Sequence, residues 1–111
     1  MELHYEEYYN TLIVKLKGEL DHHVAEKIRS ELDYAISKGR IKNLIFGLKE
    51  LEFMDSSGIG VIIGRYKKIR ETGGKVAVVE VPPRIDTIFD LAGLYSVIHK
   101  YKNKKDAIKS M

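Results

Sequence analysis

Polarity alternates along the first seventeen residues. Leu12, Val14 and Leu16 interleave with Ile13, Lys15 and Lys17, a period of two that suits a strand with one better-buried face. Leu3 to Tyr9 reads as a second strand joined to it through Asn10, and Gly18 as the end of the pair. After Asp21 the spacing changes. Val24, Ala25, Ile28, Leu32, Ala35 and Ile36 recur every three or four residues, with Glu26, Lys27, Arg29 and Lys38 between them. This predicts an amphipathic helix that starts near Asp21, whose carboxylate can cap free N–H groups, and stops at Gly39.

The run Asn43 to Leu48 is short and apolar, as a strand buried on both faces would be. Lys49 to Glu52 reads as a charged loop carrying Leu51, with Phe53 as an apolar anchor after it. A second helix is expected from about Asp55 to Thr72, with Ile59, Ile62, Ile63, Tyr66 and Ile69 as its apolar set. Gly73-Gly74 ends it, and Lys75 to Val81 reads as a Val-rich strand. Pro82-Pro83 opens a short helix carrying Ile85, Ile88, Phe89 and Leu91, stopped by Gly93. Val97 to Tyr101 suggests a last strand and Lys104 to Ser110 a terminal helix.

The order is therefore β-β-α-β-α-β-α-β-α. Helices alternating with apolar strands imply an α/β fold, its mixed sheet largely parallel with right-handed crossovers and an antiparallel first pair. Residues 1–111 contain no repeat, linker or low-complexity segment, so one domain is expected.

Composition narrows the classes. A chain 44% hydrophobic and 32% charged has the make-up of a folded domain, which excludes disorder and fibrous folds. The absence of cysteine excludes disulfides, thiol catalysis and thiolate-bound metals. The longest uncharged apolar stretch, Gly58 to Gly64, is far short of the ~20 residues that cross a bilayer. Met1-Glu2-Leu3-His4 lacks the start of a secretory signal, so a cytoplasmic protein without membrane contact is expected.

A net charge of +3 invites a nucleic-acid reading, but the excess is local. Residues 99–111 carry +4 and the other 98 residues carry −1. Arg65, Lys67, Lys68 and Arg70 around Tyr66 form one further cluster, read as a solvated helix face. Without a broad basic surface, no direct nucleic-acid contact is expected.

The densest local anomaly is Phe53-Met54-Asp55-Ser56-Ser57-Gly58-Ile59-Gly60. Asp55, Ser56 and Ser57 suit a helix start, yet glycines follow at 58, 60 and 64, each costing up to about 1 kcal/mol against alanine. Gly60 and Gly64, four apart, would let the helix lie close on the sheet. Gly58 would leave backbone and two hydroxyls open to a partner. The residues alone are equally consistent with a capped helix packed through glycine. Phosphate binding at the helix start is physically reasonable, but neither a dinucleotide fingerprint nor a P-loop is present.

Catalysis finds less support. Gly-x-Ser-x-Gly is absent around Ser56 and Ser57. His22 and His23, adjacent on a helix, would point about 100° apart, a poor arrangement for a shared metal. Glu6-Glu7 and the pair Glu50 and Glu52 read as solvated. A nucleotide-binding regulator or hydrolase built on the glycine-flanked helix start is the competing class.

Three segments carry a resemblance: Gly18-Glu19-Leu20-Asp21, Leu51 to Gly60, and Asp90-Leu91-Ala92-Gly93-Leu94. Together they resemble the STAS domain family, over essentially the whole chain. Asp21-His22-His23 and Gly64-Arg65-Tyr66-Lys67 bring it nearest to the anti-sigma factor antagonists of endospore-forming bacteria. The resemblance implies a single STAS domain and a non-enzymatic regulator with no catalytic residue, cofactor or metal.

It further implies binding to an anti-sigma factor that is also a serine kinase, ATP- or ADP-bound, which releases a sporulation sigma factor. Phosphorylation would switch the antagonist off and a serine phosphatase would restore it. Carried onto this sequence, the acceptor is Ser56, with Ser57 its competitor. Around Ser56 and its neighbours Asp55 and Ser57, the expected partner surface extends to Gly58, Ile59 and Gly60 by adjacency and to Asp21 because its loop and the start of the second helix share the strands' C-terminal edge, on a protein expected to be monomeric when free. The alternative is a standalone STAS regulator of another sigma factor or a stress-signalling scaffold.

Overall fold

The alternating segments pair as expected. In the computed structural model, which describes all 111 residues, β1 (Glu2–Tyr8) and β2 (Thr11–Leu20) are antiparallel. β3 (Asn43–Met54), β4 (Val76–Val79) and β5 (His99–Tyr101) follow in parallel, giving a five-stranded sheet in the order β1-β2-β3-β4-β5. The α/β class and the mixed, largely parallel sheet are those predicted.

Strand alternation sorts side chains between two layers. Leu12, Val14 and Leu16 of β2 join Leu44, Phe46 and Leu48 of β3 in the main core. Helices α1 (Ala25–Ser37), α2 (Ser56–Glu71) and α3 (Pro83–Leu91) cover that face through Ile28, Leu32, Ile62, Ile69, Ile85 and Phe89. Ile13, Ile45, Ala77 and Val79 point the other way, where Ala107 of α4 (Lys104–Lys109) packs on them. A 3-10 turn, Leu94–Ser96, leads from α3 to β5.

Two sequence expectations fail at the C-terminal end of the sheet. Gly18 does not end β2, and Lys49 to Glu52 is not a loop. Both strands continue, pairing Lys17 with Glu50, Gly18 with Leu51 and Leu20 with Met54. Register shifts between Lys15 and Lys17, and between Gly18 and Glu19, break the period of two. Gly18 takes φ +113°, a conformation glycine adopts without strain. Leu51 and Met54 are buried there, whereas the expected anchor Phe53 is 41% exposed.

α1 starts later than predicted. Asp21 instead closes a turn: its Oδ1 accepts the His23 N–H at 3.0 Å, and its carbonyl accepts those of Val24 and Ala25. The last two strands are shorter than expected. β4 ends before Glu80, a residue at φ +53°, and Val97 is exposed ahead of β5.

α2 corrects two further expectations. Its buried stripe is Gly58, Val61, Ile62, Arg65 and Ile69. Arg65 is therefore not part of a solvated face; its Nε lies 3.0 Å from Asp33 Oδ1 on α1, which Lys68 Nζ also approaches at 3.2 Å. Burial lowers the guanidinium's proton affinity, Asp33 raises it and Arg29 lowers it further. The Arg65 Nε–H is not aimed at the carboxylate, so a charge pair rather than a hydrogen bond joins the helices.

The glycines also exchange roles. A Cβ on Gly60 or Gly64 would meet nothing within 4 Å, so neither brings the helix onto the sheet. A Cβ on Gly58 would lie 2.5 Å from the Leu20 carbonyl oxygen and 2.6 Å from Met54 Cγ. The close approach is at Gly58, which therefore faces the protein and not a partner.

Candidate functional site

The strand ends deliver two short turns to one edge of the sheet. Leu20 ends β2 and Met54 ends β3, and these two residues are paired. The turn after β2 carries Asp21, His22 and His23; the turn after β3 carries Asp55 and the start of α2. In a parallel sheet this edge is where loops meet and ligands or partners bind.

Asp55 joins the two turns. Its Oδ1 accepts the N–H groups of Ser57 at 2.9 Å and Gly58 at 3.2 Å, capping α2. Its Oδ2 accepts the His22 N–H at 3.1 Å, and the His22 ring Nδ1 lies 3.7 Å away. Asp55's own N–H points to the Leu20 carbonyl at 3.4 Å. Sequence reading identified the cap but not this bridge to His22, thirty-three residues earlier.

The electrostatics follow from that geometry. Desolvation pushes the Asp55 carboxyl up, but the N–H groups of Gly58, His22 and Ser57, with the His22 ring, outweigh it and hold the group below the usual range. A group depressed in the folded state contributes stability above its unfolded value and loses it as pH falls through the folded value. Thermal midpoints should therefore drop as pH is lowered from about 5 toward 2. Asp55→Asn, which keeps a carbonyl acceptor, should show a shallower drop by circular dichroism. Parallel curves for the two proteins would show that Asp55 carries no such stabilisation.

His22 and His23 differ from their predicted arrangement. They precede α1 rather than lying on it, and their rings stack with centroids 4.0 Å apart and planes 36° apart. His23 Nδ1 sits 3.7 Å from Asp21 Oδ2. The stack thus links Asp21 to Asp55 across the two turns, which were expected to share this edge. No group of three or more His, Asp or Glu is arranged to hold a metal ion.

Ser56 is the first residue of α2 and is exposed; Ser57 is half-buried. Ile59 is half-buried and Gly60 exposed, so the outer face of the first turn is low and open. Phe53 lies exposed just before the site, an apolar neighbour that the sequence pattern assigned to the core. Of the residues expected at a partner surface, Asp21, Asp55, Ser56, Ser57, Ile59 and Gly60 lie around this edge, and Gly58 is buried beneath it. Nothing here resembles a nucleophile with its base: Asp55 is committed to N–H groups and is a weakened proton acceptor.

Comparison with known proteins gives a consistent result. Residues 2–107 match the STAS domain. The chain is 40% identical over 111 residues to an anti-sigma F factor antagonist from Paenibacillus polymyxa, covering all of this chain and 95% of that one. Its fold superposes with a TM-score of 0.84 on the anti-sigma factor antagonist SpoIIAA in its unphosphorylated form, at 30% identity, covering 98% of this chain and 95% of the other. The Bacillus cell fate determinant SpoIIAA in its phosphorylated form gives 0.75 at the same identity, covering 98% of both chains.

Proposed function

Since the chain belongs to the STAS domain family and, within it, to the anti-sigma factor antagonists, we propose that it binds an anti-sigma factor/serine kinase and is switched off by phosphorylation of Ser56. Binding in this reading frees a sporulation sigma factor. The observation that carries the proposal is Ser56 itself: exposed, first in α2, and beside a carboxylate already committed to capping. That a relative of the same fold exists in unphosphorylated and phosphorylated forms supports a phosphate as the switch.

The chemistry divides between the two proteins. Ser56 Oγ attacks the γ-phosphorus of ATP held by the partner, the bond to the bridging oxygen breaks, and ADP leaves. The hydroxyl proton goes to a base on the kinase, because Asp55 is held ionised by hydrogen bonds and accepts protons poorly. A serine phosphatase reverses the change by hydrolysis, returning inorganic phosphate and the free hydroxyl. This chain supplies a substrate and a surface, which suits a regulator that is not an enzyme.

The partner meets Ser56, Ser57, Ile59 and Gly60, with Asp21 and Asp55 giving the patch its negative charge. Ser57 is the weaker acceptor because it is half-buried. In this reading the setting is cytoplasmic and the free protein is a monomer. No helix of the chain is long and apolar enough to cross a membrane.

Incubation with the cognate kinase and ATP, followed by peptide mass spectrometry, should place one phosphate on Ser56. Ser56→Ala should remain unmodified. Phosphate on Ser57 alone, or none, overturns the assignment.

A further inference from the structure

The two turns at the docking edge hold an ionisable pair that the switch at Ser56 leaves unused. His22 and His23 stack with centroids 4.0 Å apart, and each ring presents its Nδ1 to a different acid at 3.7 Å, Asp55 for His22 and Asp21 for His23. Both rings are exposed, so neither fills the core. The bond that ties the turns together comes from the His22 backbone N–H and not from its ring. The fold therefore does not depend on an imidazole at this position.

Other cations are scarce here. From Glu19 to Lys27 and from Glu50 to Ile63 the only lysine or arginine is Lys27, against Glu19, Asp21, Glu26, Glu50, Glu52 and Asp55. Lys27 lines the groove between α1 and β1. The cations that approach from other elements are engaged: Lys17 of β2 meets Glu50 at 3.8 Å, and Arg84 of α3 donates to the Glu52 carbonyl. Farther along the helices Arg65 and Lys68 meet Asp33, with Arg29 acting on Arg65. Asp55 is held ionised against desolvation by three N–H groups and the His22 ring, with no lysine or arginine contributing.

A phosphate on Ser56 upsets this balance. It adds about −1.5 to −2 charges one residue from Asp55, whose Oδ1 already occupies the Ser57 and Gly58 N–H groups. Neighbouring Cα atoms are about 3.8 Å apart. The phosphate and the His22 ring thus flank one carboxylate, on the scale of the ~8 Å Debye length. Negative charge at that range favours the protonated imidazole. The stack limits the response, because two imidazolium rings 4.0 Å apart repel. A single proton is favoured, on the ring that faces Asp55.

We infer that His22 is the counter-ion of the Ser56 phosphate, its imidazole taking a proton from solvent when Ser56 is phosphorylated. This rests on the reading of Ser56 as the acceptor. A proton bound more tightly in the folded phosphorylated chain stabilises it fully below the ring's unfolded value, and that stabilisation is lost as pH rises through the folded value. The off state therefore deepens as pH falls from about 8 to about 6, before the phosphate itself loses charge.

Phosphoserine inserted at position 56 of the full chain during translation makes the test independent of any kinase, so its failure is separable from failure of the acceptor assignment. In NMR titrations the His22 ring signals should change at a pH at least about 0.5 unit higher in the phosphorylated chain than in the unmodified one. His22→Gln keeps the backbone N–H to Asp55 and removes only the ring. In that variant the phosphorus signal should titrate at a higher pH than in the parent phosphoprotein. The parent phosphoprotein should also melt above the phosphorylated variant at pH 6.5, by a gap that closes by pH 8.5. A smaller rise at His22, an equal or larger rise at His23, a phosphorus titration unchanged by His22→Gln, or a melting gap independent of pH would each overturn the assignment.

Discussion

Gly58→Ala should destabilise the protein by about 2–3 kcal/mol, whereas Gly60→Ala should stabilise it by about 0.5–1 kcal/mol. Both positions are helical, and helix propensity alone favours alanine at each. Packing reverses the sign at Gly58. An added methyl would sit 2.5 Å from the Leu20 carbonyl oxygen, a backbone atom that cannot swing aside. That carbonyl also faces the Asp55 N–H, so relieving the clash would disturb the bridge between the two turns. At Gly60 the methyl enters open space. Urea denaturation of the three proteins decides the matter. Equal midpoints for the two variants would mean that α2 does not lie on Leu20 as described.

A phosphate on Ser56 should weaken partner binding at least about 100-fold while leaving the fold intact. Two decades require only ~2.7 kcal/mol. A phosphoserine adds about −1.5 to −2 charges, and burying such a charge against an unadapted surface costs several kcal/mol. The helix start cannot absorb it fully, because Asp55 Oδ1 already takes the Ser57 and Gly58 N–H groups. The new charge is left beside a carboxylate and projects from the helix end toward the docked partner. Ser56→Asp, with one charge and a shorter reach, should give a smaller loss in the same direction.

The sequence made most of the layer structure legible. Where alternation was unbroken, as in Leu12 to Leu16, strand and core face were both readable from it. It failed at Lys49 to Met54 because two register shifts in the β2–β3 pairing remove the period that identifies a strand. The charged residues Lys49, Glu50 and Glu52 on either side of Leu51 then resemble a loop, and the neighbouring Phe53 looks like an anchor although it is exposed.

The misreadings in α2 share one cause. Ile59, Ile63 and Tyr66 are half-buried flanks, while the buried stripe runs through Gly58, Ile62, Arg65 and Ile69. A helical projection centred on Ile62 and Ile69 would have placed Arg65 inside, Gly58 against the sheet and Gly60 outside. Arg65 was instead grouped with its charged sequence neighbours, which ignores phase. The candidate site was visible as Asp-Ser-Ser-Gly, but the Asp55–His22 bridge was not. A contact across thirty-three residues depends on where two strands end, and the extension of both strands was the feature the pattern concealed.

The central proposal is that Ser56 acts as a charge switch at a docking edge. The most direct test is calorimetric titration of the cognate anti-sigma factor, with ADP, into this protein unmodified and phosphorylated stoichiometrically on Ser56. Circular dichroism melts of both forms serve as the check on folding. The prediction is superimposable spectra and a dissociation constant at least about 100-fold higher for the phosphorylated form. Affinities within about threefold of each other, less than ~0.7 kcal/mol, would contradict it.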